Sequence, residues 1–256
     1  MGQRLIALGH AAPEITLVAA IESAGHPLLG TDAGVHAGIG PIDLPLSDAW
    51  PAEADVVIDF SVPRATPHLL EECLKHGQRL VYATTGLEAA DEQAIASAAK
   101  TLPIVKAASM SLAVNLSMKL VEIATGALRD HPTGADIEII ERHHRFKEDA
   151  PSGTALAFGR IVEQALGEAT HTHGRSGRPG KRPHREIGYH AVRAGDNPGE
   201  HTILFGLLGE SIELRVAATN RDCYAQGALV AAQWLDGKPP GLYSMQDVLG
   251  LARLAP

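Results

Sequence analysis

The chain contains little cysteine and no long apolar run. Its two cysteines, Cys73 and Cys223, are far apart and in no CxxC spacing among 256 residues; this argues against a disulfide framework or a zinc site and fits a reducing compartment. The N-terminal apolar stretch meets Pro13 and Glu14 before a secretory signal could form. No stretch is long enough to span a membrane. We therefore expect a cytoplasmic protein.

An excess of positive charge is also missing. The formal net charge is −8, so we expect no general attraction to nucleic acid or to a membrane surface. The basic residues near 142–147 and 172–193 must therefore act locally. With 45% hydrophobic residues, the chain can bury one or two full cores, and its length fits a two-domain enzyme as readily as one large domain.

In the first half of the chain, short β-rich runs alternate with helical periods, which is typical of a doubly wound α/β domain. Buried parallel strands are predicted over 15–21, 55–60, 79–83 and 103–107, and helices near 64–76 and 88–100. Polar residues that directly follow such strands mark the usual ligand edge. Here they are Glu22, Ser61, Thr84-Thr85-Gly86 and Ser109-Met110.

The second half predicts a smaller α+β domain with a mixed sheet. A long helix is predicted from Ser111 to about His131, then strands over 136–140, 186–192, 201–205 and 211–217, with a mobile Gly- and Pro-rich loop over 174–183. Two closing helices, near 222–236 and after Ser244, are expected to return to the first domain. The predicted domains are thus 1–110, completed by 222–256, and 111–221.

The usual start of a dinucleotide-binding fold is missing. Such a fold opens with a strand and a Gly-rich turn, whereas Met1-Gly2 leads directly into a predicted helix. The first strand is central in this fold, so a chain without it is expected to fold poorly or to recruit a replacement. The simpler hypothesis is that the natural polypeptide begins roughly a dozen residues upstream and that Met1 is internal.

The most informative segment runs from Glu141 to Thr154. It places two imidazoles, two guanidiniums and an ammonium before Pro151-Ser-Gly-Thr154, which predicts a capped helix start with free backbone N–H groups. The segment therefore predicts a site for a small dianion. His143 and His144 are the side chains best suited to exchange protons near neutral pH, and Lys147 adds a further donor. In an extended strand His144 would point away from His143, so use of both requires a bend.

Other interpretations of these residues compete with this one. A basic loop is usually a solvated surface, and an isolated Ser-Gly-Thr is usually only a cap. A metal-binding protein is a second alternative because His143-His144 and His171-Thr-His173 occur, although the latter lies in a predicted flexible loop. A third is a catalytically impaired dinucleotide-fold subunit or sensor that lacks the Gly-rich loop.

The residues Ile137 to Leu156, which include Glu141-Arg-His-His-Arg-Phe-Lys-Glu-Asp-Ala-Pro-Ser-Gly-Thr154, resemble the hallmark segment of the 4-hydroxy-tetrahydrodipicolinate reductase family. The likeness extends over essentially the whole chain. Weaker matches include Thr84-Thr-Gly86, Arg193-Ala-Gly-Asp196 and Gly199-Glu-His-Thr202.

The resemblance implies a fold and a reaction. It implies a Rossmann-like domain, a second domain for substrate binding and homotetramer formation, and NAD(P)H-dependent reduction of 4-hydroxy-tetrahydrodipicolinate to tetrahydrodipicolinate with loss of water, in lysine and diaminopimelate biosynthesis. By the same motif, His143 and Lys147 are the catalytic proton donors. His144, Gly153 and Thr154 hold the substrate carboxylates.

The resemblance also implies a set of cofactor-binding residues. They are Met1, Gly2, Glu22, Ala83, Thr84, Thr85, Ala107, Ala108, Ser109 and Met110. Only Met1 and Gly2 match the family's Gly-rich loop, while Ala83 and Ser109 depart from the residues usual at their positions. An acid such as Glu22 accepts both ribose hydroxyls and repels a 2′-phosphate. With Ser23 where a basic residue often helps to bind NADP(H), NADH is favoured over NADPH.

Overall fold

The computed structural model describes residues 1–251; the last five residues of the predicted 222–256 segment lie outside the described part. In chain order the elements are α1 (Gly2–Ala11), β1 (Ala20–Ile21), α2 (Ala33–Ala37), β2 (Leu46–Ser47), β3 (Val56–Asp59), α3 (Thr66–His76), β4 (Arg79–Tyr82), α4 (Ala89–Ala98), β5 (Pro103–Lys106), α5 (Leu112–Leu128), β6 (Asp136–His143), α6 (Gly153–Leu166), β7 (Thr170–His173), β8 (Glu186–Arg193), β9 (Glu200–Leu207), β10 (Glu210–Ala217), α7 (Asp222–Trp234), β11 (Gly241–Tyr243) and α8 (Met245–Val248). The chain divides into two compact units, the first formed by Met1–Leu112 with Arg221–Gly250 and the second built on Ala113–Asn220.

The first unit is a Rossmann-like parallel sheet, as predicted. Its four strands lie in the order β11-β5-β4-β3, all parallel. Successive residues of β4 enter different cores: Leu80 packs with Ile95 and Ile104, and Val81 packs with Val105 and helix α7. Because both faces of the sheet are covered, its strands are continuous apolar runs. The predicted strands over 55–60, 79–83 and 103–107 and the helices beside them are confirmed.

The predicted strand over 15–21 is wrong for most of its length. Only Ala20–Ile21 is a strand, paired in parallel with Leu46–Ser47 in a separate two-stranded sheet. A strand needs a hydrogen-bonded neighbour, and within residues 1–251 only these two residues of the segment have one. Leu17 packs against Gly9 of α1 instead. In the described chain, α1 begins at Gly2 with no strand before it, and β3 is paired on one side only, by β4.

The second unit contains a five-stranded mixed sheet in the order β10-β9-β6-β8-β7. Strand β6 lies between β8, to which it is parallel, and β9, to which it is antiparallel. Its residues alternate in burial, so Ile137, Ile139, Glu141 and His143 share the face that packs on α5 and α6. The predicted mixed sheet is confirmed.

The prediction that His171-Thr-His173 lies in a flexible loop is wrong. These residues belong to β7, an edge strand that pairs with β8, and both histidine rings stack on Tyr189. The polar sequence Thr-His-Thr-His lacks the apolar alternation that predicts a strand, because its contacts are aromatic rather than aliphatic. Within residues 1–251, no helix combines the length and the apolar character needed to cross a bilayer.

Candidate active site

Strand β6 places an acid and a histidine side by side at its carboxyl end. Glu141 is fully buried and His143 is 8% exposed, and the His143 Nδ1 atom lies 2.5 Å from Glu141 Oε2. An ionised carboxylate only accepts hydrogen bonds, so His143 donates from Nδ1. Its Nε2 atom has no partner among residues 1–251 and can exchange a proton.

Glu141 is held by donors from two other segments. Arg193 of β8 donates to both carboxylate oxygens, at 2.8 and 2.7 Å, and the Ser152 backbone N–H donates to Oε1 at 3.0 Å. Burial alone would raise the pKa of Glu141, but the bonds from Arg193, His143 and Ser152 lower it below its usual value. Glu141 is therefore ionised near neutral pH.

Ser152 joins this site to the start of α6. Its hydroxyl accepts from the Ala155 N–H at 3.1 Å, which caps the helix as predicted, and lies 3.0 Å from His201 Nε2. The backbone N–H groups of Gly153 and Thr154 have no acceptor within residues 1–251, and the space beside Gly153 is open. Two unused donors at the positive end of a 14-residue helix are the groups that the predicted anion site requires.

Burial sets the charge of His143 and His201. It lowers the pKa of His201 to about 4, and its ring meets that of His143 edge-on at 5.2 Å. Burial also lowers the pKa of His143, and this outweighs the attraction of Glu141. Both imidazoles are therefore mainly neutral at pH 7 without a ligand.

The chain bends directly after His143, as the use of both histidines requires. The His144 N–H donates to the Asn197 carbonyl at 2.8 Å, and Lys147 N–H returns to the His144 carbonyl at 3.2 Å. The Lys147 ammonium lies 2.7 Å from Asp149 Oδ1. His144 Nδ1 is buried and has no hydrogen-bond partner within residues 1–251.

The basic run is divided between two faces of the sheet. Arg142 lies on the other face of β6 and pairs with Glu200, which Arg215 also contacts. It therefore does not join the anion site. We call Glu141, His143, Ser152, Arg193 and His201 the inner cluster. Of these, Glu141, Arg193 and His201 were not predicted as site residues.

The first unit contains an open cavity of about 600 Å³ at the carboxyl ends of β4 and β5. Four predicted cofactor residues line it, namely Thr84, Thr85, Ala107 and Ala108. The Thr84 hydroxyl donates to Asp59 Oδ2 at 2.6 Å, which fixes its position. Hydroxyl groups beside alanines and Leu242 provide both the polar and the flat apolar contacts that a nicotinamide needs.

The other predicted cofactor residues do not line this cavity. Ala83 and Met110 are buried beneath the sheet edge, and Ser109 Oγ accepts from the Ser111 N–H at 3.4 Å. Glu22 follows β1 and is half-buried, with its carboxylate accepting from the Ser23 N–H. Met1 and Gly2 form the exposed start of α1.

The described residues provide no support for the metal-binding alternative. Within residues 1–251, no three His, Cys, Asp or Glu side chains are grouped closely enough to hold a metal ion. His171 instead bonds the Tyr189 hydroxyl at 2.8 Å.

A Rossmann-like unit with hydroxyls at its carboxyl edge, together with a second unit that carries a buried acid–histidine pair, defines a two-domain nicotinamide-dependent oxidoreductase. Two family models match the chain: "Dihydrodipicolinate reductase, N-terminus" over residues 1–110 and "Dihydrodipicolinate reductase, C-terminus" over residues 113–249. The chain belongs to the dihydrodipicolinate reductase family.

Relatives and solved structures agree with this assignment. A 4-hydroxy-tetrahydrodipicolinate reductase of Rhodopirellula baltica is 56% identical over 98% of this chain and 93% of its own. One of Pseudomonas fluorescens is 46% identical over 98% and 95%. The dipicolinate-bound dihydrodipicolinate reductase of Paenisporosarcina sp. has the same fold, with a TM-score of 0.76, 22% identity and coverage of 96% and 94%.

Proposed function

We propose that this chain reduces 4-hydroxy-tetrahydrodipicolinate to tetrahydrodipicolinate with loss of water, in lysine and diaminopimelate biosynthesis. The names of the relatives support the reaction. The observation that carries the proposal is the buried Glu141–His143 pair beside the unbonded amides of Gly153 and Thr154. A ring dicarboxylate supplies the anion for those amides, and its reduction requires a proton.

The substrate carboxylates are held by the start of α6. The N–H groups of Gly153 and Thr154 donate to one carboxylate, assisted by the positive end of the helix dipole. His144, in the bend that follows β6, donates to the other. Lys147 lies in the same bend and is the second proton donor.

His143 delivers the first proton from Nε2. A bound nicotinamide supplies the hydride, and the reduced ring then needs a proton near neutral pH. Burial holds the pKa of His143 below its usual value in the free chain. A substrate dianion placed nearby favours the charged imidazole and raises this pKa again. Substrate binding thus favours the protonated form of His143, which is the acid that the reaction uses.

The cofactor is NADH in preference to NADPH. Thr84, Thr85, Ala107 and Ala108, which line the cavity, bind it, together with Met1, Gly2 and Ser109. Glu22 takes the adenosine ribose and repels a 2′-phosphate, and Ser23 supplies no compensating charge. The ratio of kcat/KM for the two cofactors tests this preference. A higher value with NADPH would contradict it.

The enzyme works as a cytoplasmic homotetramer, as its family resemblance implies. Light scattering of the purified chain should give about four times the monomer mass of 26.9 kDa. A monomer or a dimer with full activity would contradict this assembly.

The reaction is tested by adding the purified chain to NADH and to 4-hydroxy-tetrahydrodipicolinate formed from pyruvate and aspartate semialdehyde. NADH should be consumed only when both precursors are present. Binding of NADH without turnover would instead favour the catalytically impaired subunit.

A further inference from the structure

Glu141 is fully buried, and one of its four hydrogen bonds is made with the ring of the proposed acid, His143. Two guanidinium N–H groups of Arg193, the Ser152 amide and the His143 ring fill its four oxygen lone-pair positions. We propose that Glu141 is a positioning residue for the reaction. Its carboxylate keeps His143 in the Nδ1-protonated tautomer, so that Nε2 gives and takes the proton.

This inference rests on the proposed function and names a residue that acts through His143. Neutral imidazole carries one proton, and the bond made by the other nitrogen decides which one. An ionised Glu141 accepts and cannot donate, which excludes the tautomer with a bare Nδ1. Arg193 keeps the carboxylate ionised, so the tautomer depends on both residues.

The charged groups around His143 act together. Glu141 lies on the same strand, Arg193 on β8 and His201 on β9, while Lys147 and Asp149 lie in the bend after β6. Glu141 is the anion in direct contact with the ring and favours its protonated form. Lys147 and Arg193 oppose it. Removing the charge of Glu141 therefore makes the imidazolium harder to form.

The variant Glu141→Gln should reverse the tautomer. The Oε1 position receives hydrogen bonds from the Ser152 amide and from Arg193, neither of which can become an acceptor. The amide oxygen of Gln is therefore expected at that position. The NH2 group then faces His143, which alone can change from donor to acceptor by moving its proton to Nε2. Nitrogen-15 NMR of histidine-labelled protein distinguishes the two tautomers without any turnover.

A matched control lies three residues earlier on the same strand. Glu138 faces the opposite side of β6 and also binds a histidine and arginines: His190 at 2.7 Å, Arg175 at 2.7 and 3.0 Å, and Arg182 at 3.1 Å. We call these four residues the outer cluster. Glu138→Gln removes the same charge from the same strand without touching His143.

We expect Glu141→Gln to lower kcat by about 10²- to 10⁴-fold with little change in KM, by analogy with acids that orient catalytic histidines. Because the imidazolium is the acid, activity falls as pH rises through its pKa, and this falling limb should move to lower pH. Glu138→Gln should leave kcat, the pH profile and the His143 tautomer unchanged.

The outcomes separate the inference from the function. Wild-type turnover with a Nε2-protonated His143, or Glu141→Gln with full kcat and an unchanged tautomer, would overturn the role of Glu141 and leave the reaction standing. A wild-type chain that fails to turn over, yet shows the Nδ1 tautomer, would overturn the reaction alone. If Glu141→Gln does not fold, the wild-type spectrum still decides the tautomer.

Discussion

The inner and outer clusters use the same residue types on the two faces of one strand, yet their surroundings differ. In the inner cluster His143 is 8% exposed and retains a free Nε2. In the outer cluster the His190 side chain is 37% exposed, and its Nε2 is the atom bonded to Glu138. Residue composition therefore does not distinguish the two clusters, whereas the burial of the histidine and its unbonded nitrogen do.

Glu138 and Glu141 also connect different segments of the chain. Glu138 receives Arg175 and Arg182 from the two ends of the 174–183 loop, and these bonds lower its pKa to about 2 against the opposing effect of burial. Glu141 instead connects β6, β8 and the start of α6. The outer cluster fastens a loop to the sheet, and the inner cluster fixes the position of one imidazole relative to two unused amides.

The sharpest test of this contrast replaces one histidine at a time. His143→Gln should lower kcat by about 10²- to 10⁴-fold, the usual contribution of a positioned acid. The dissociation constant of NADH should change little, because the proposed cofactor residues belong to the other unit. Steady-state kinetics and fluorescence titration measure the two quantities.

The control for that test is His190→Gln in the outer cluster. It removes an imidazole bonded to a glutamate on the same strand, so any general effect of losing such a bond appears in both variants. We expect an almost unchanged kcat. Equal losses of kcat in the two variants would remove the distinction between the clusters.

As the pH is lowered, the inner cluster should lose stability at a higher pH than the outer cluster. The pKa of His201 is about 4 in the folded chain because burial disfavours its charged form, against 6.5 for a free histidine. The unfolded chain therefore binds the proton more tightly, and the free energy of unfolding falls as pH decreases from about 6.5 to 4. The loss is on the order of 3 kcal/mol.

The outer cluster responds in a lower range. The pKa of Glu138 is about 2 compared with 4.5 for a free glutamate, so its stabilising effect is complete above pH 4.5 and is lost as pH falls towards 2. Chemical denaturation across this pH range measures both slopes. His201→Gln should reduce the slope between pH 6.5 and 4, to which His143 also contributes, and retain the lower one. An unchanged upper slope would show that His201 is not its source.

Much of the fold could be predicted because its signals are local. The apolar runs of β3, β4 and β5 and the Ser152 cap each depend on a few neighbouring residues. The inner cluster depends instead on sheet register, in which His143 lies opposite Arg193 and Glu141 opposite His201. Only the pairing of Glu141 with His143 could have been found earlier, since residues two apart on a strand share a face.

The smallest of the expected effects compares two glycines, one against each cluster. Gly199 has a φ of +148°, and a Cβ there would lie 3.0 Å from His143 Nε2. Gly199→Ala should therefore cost about 1–3 kcal/mol of stability through backbone strain, and should also lower kcat because the methyl group presses on the proton-exchanging atom. Thermal unfolding and kcat are measured together.

Gly188→Ala is the counterpart in the outer cluster. A Cβ at Gly188 would lie 1.9 Å from Glu138 Oε2, so the carboxylate must leave its arginines and His190. The cost in stability should again be about 1–3 kcal/mol, because a charged hydrogen-bonded group loses its partners. Since Nε2 of His143 is untouched, kcat should stay at the wild-type value. If both variants lose similar stability but only Gly199→Ala lowers kcat, the inner cluster serves the reaction and the outer cluster serves the fold. A fall in kcat in both variants would contradict this difference.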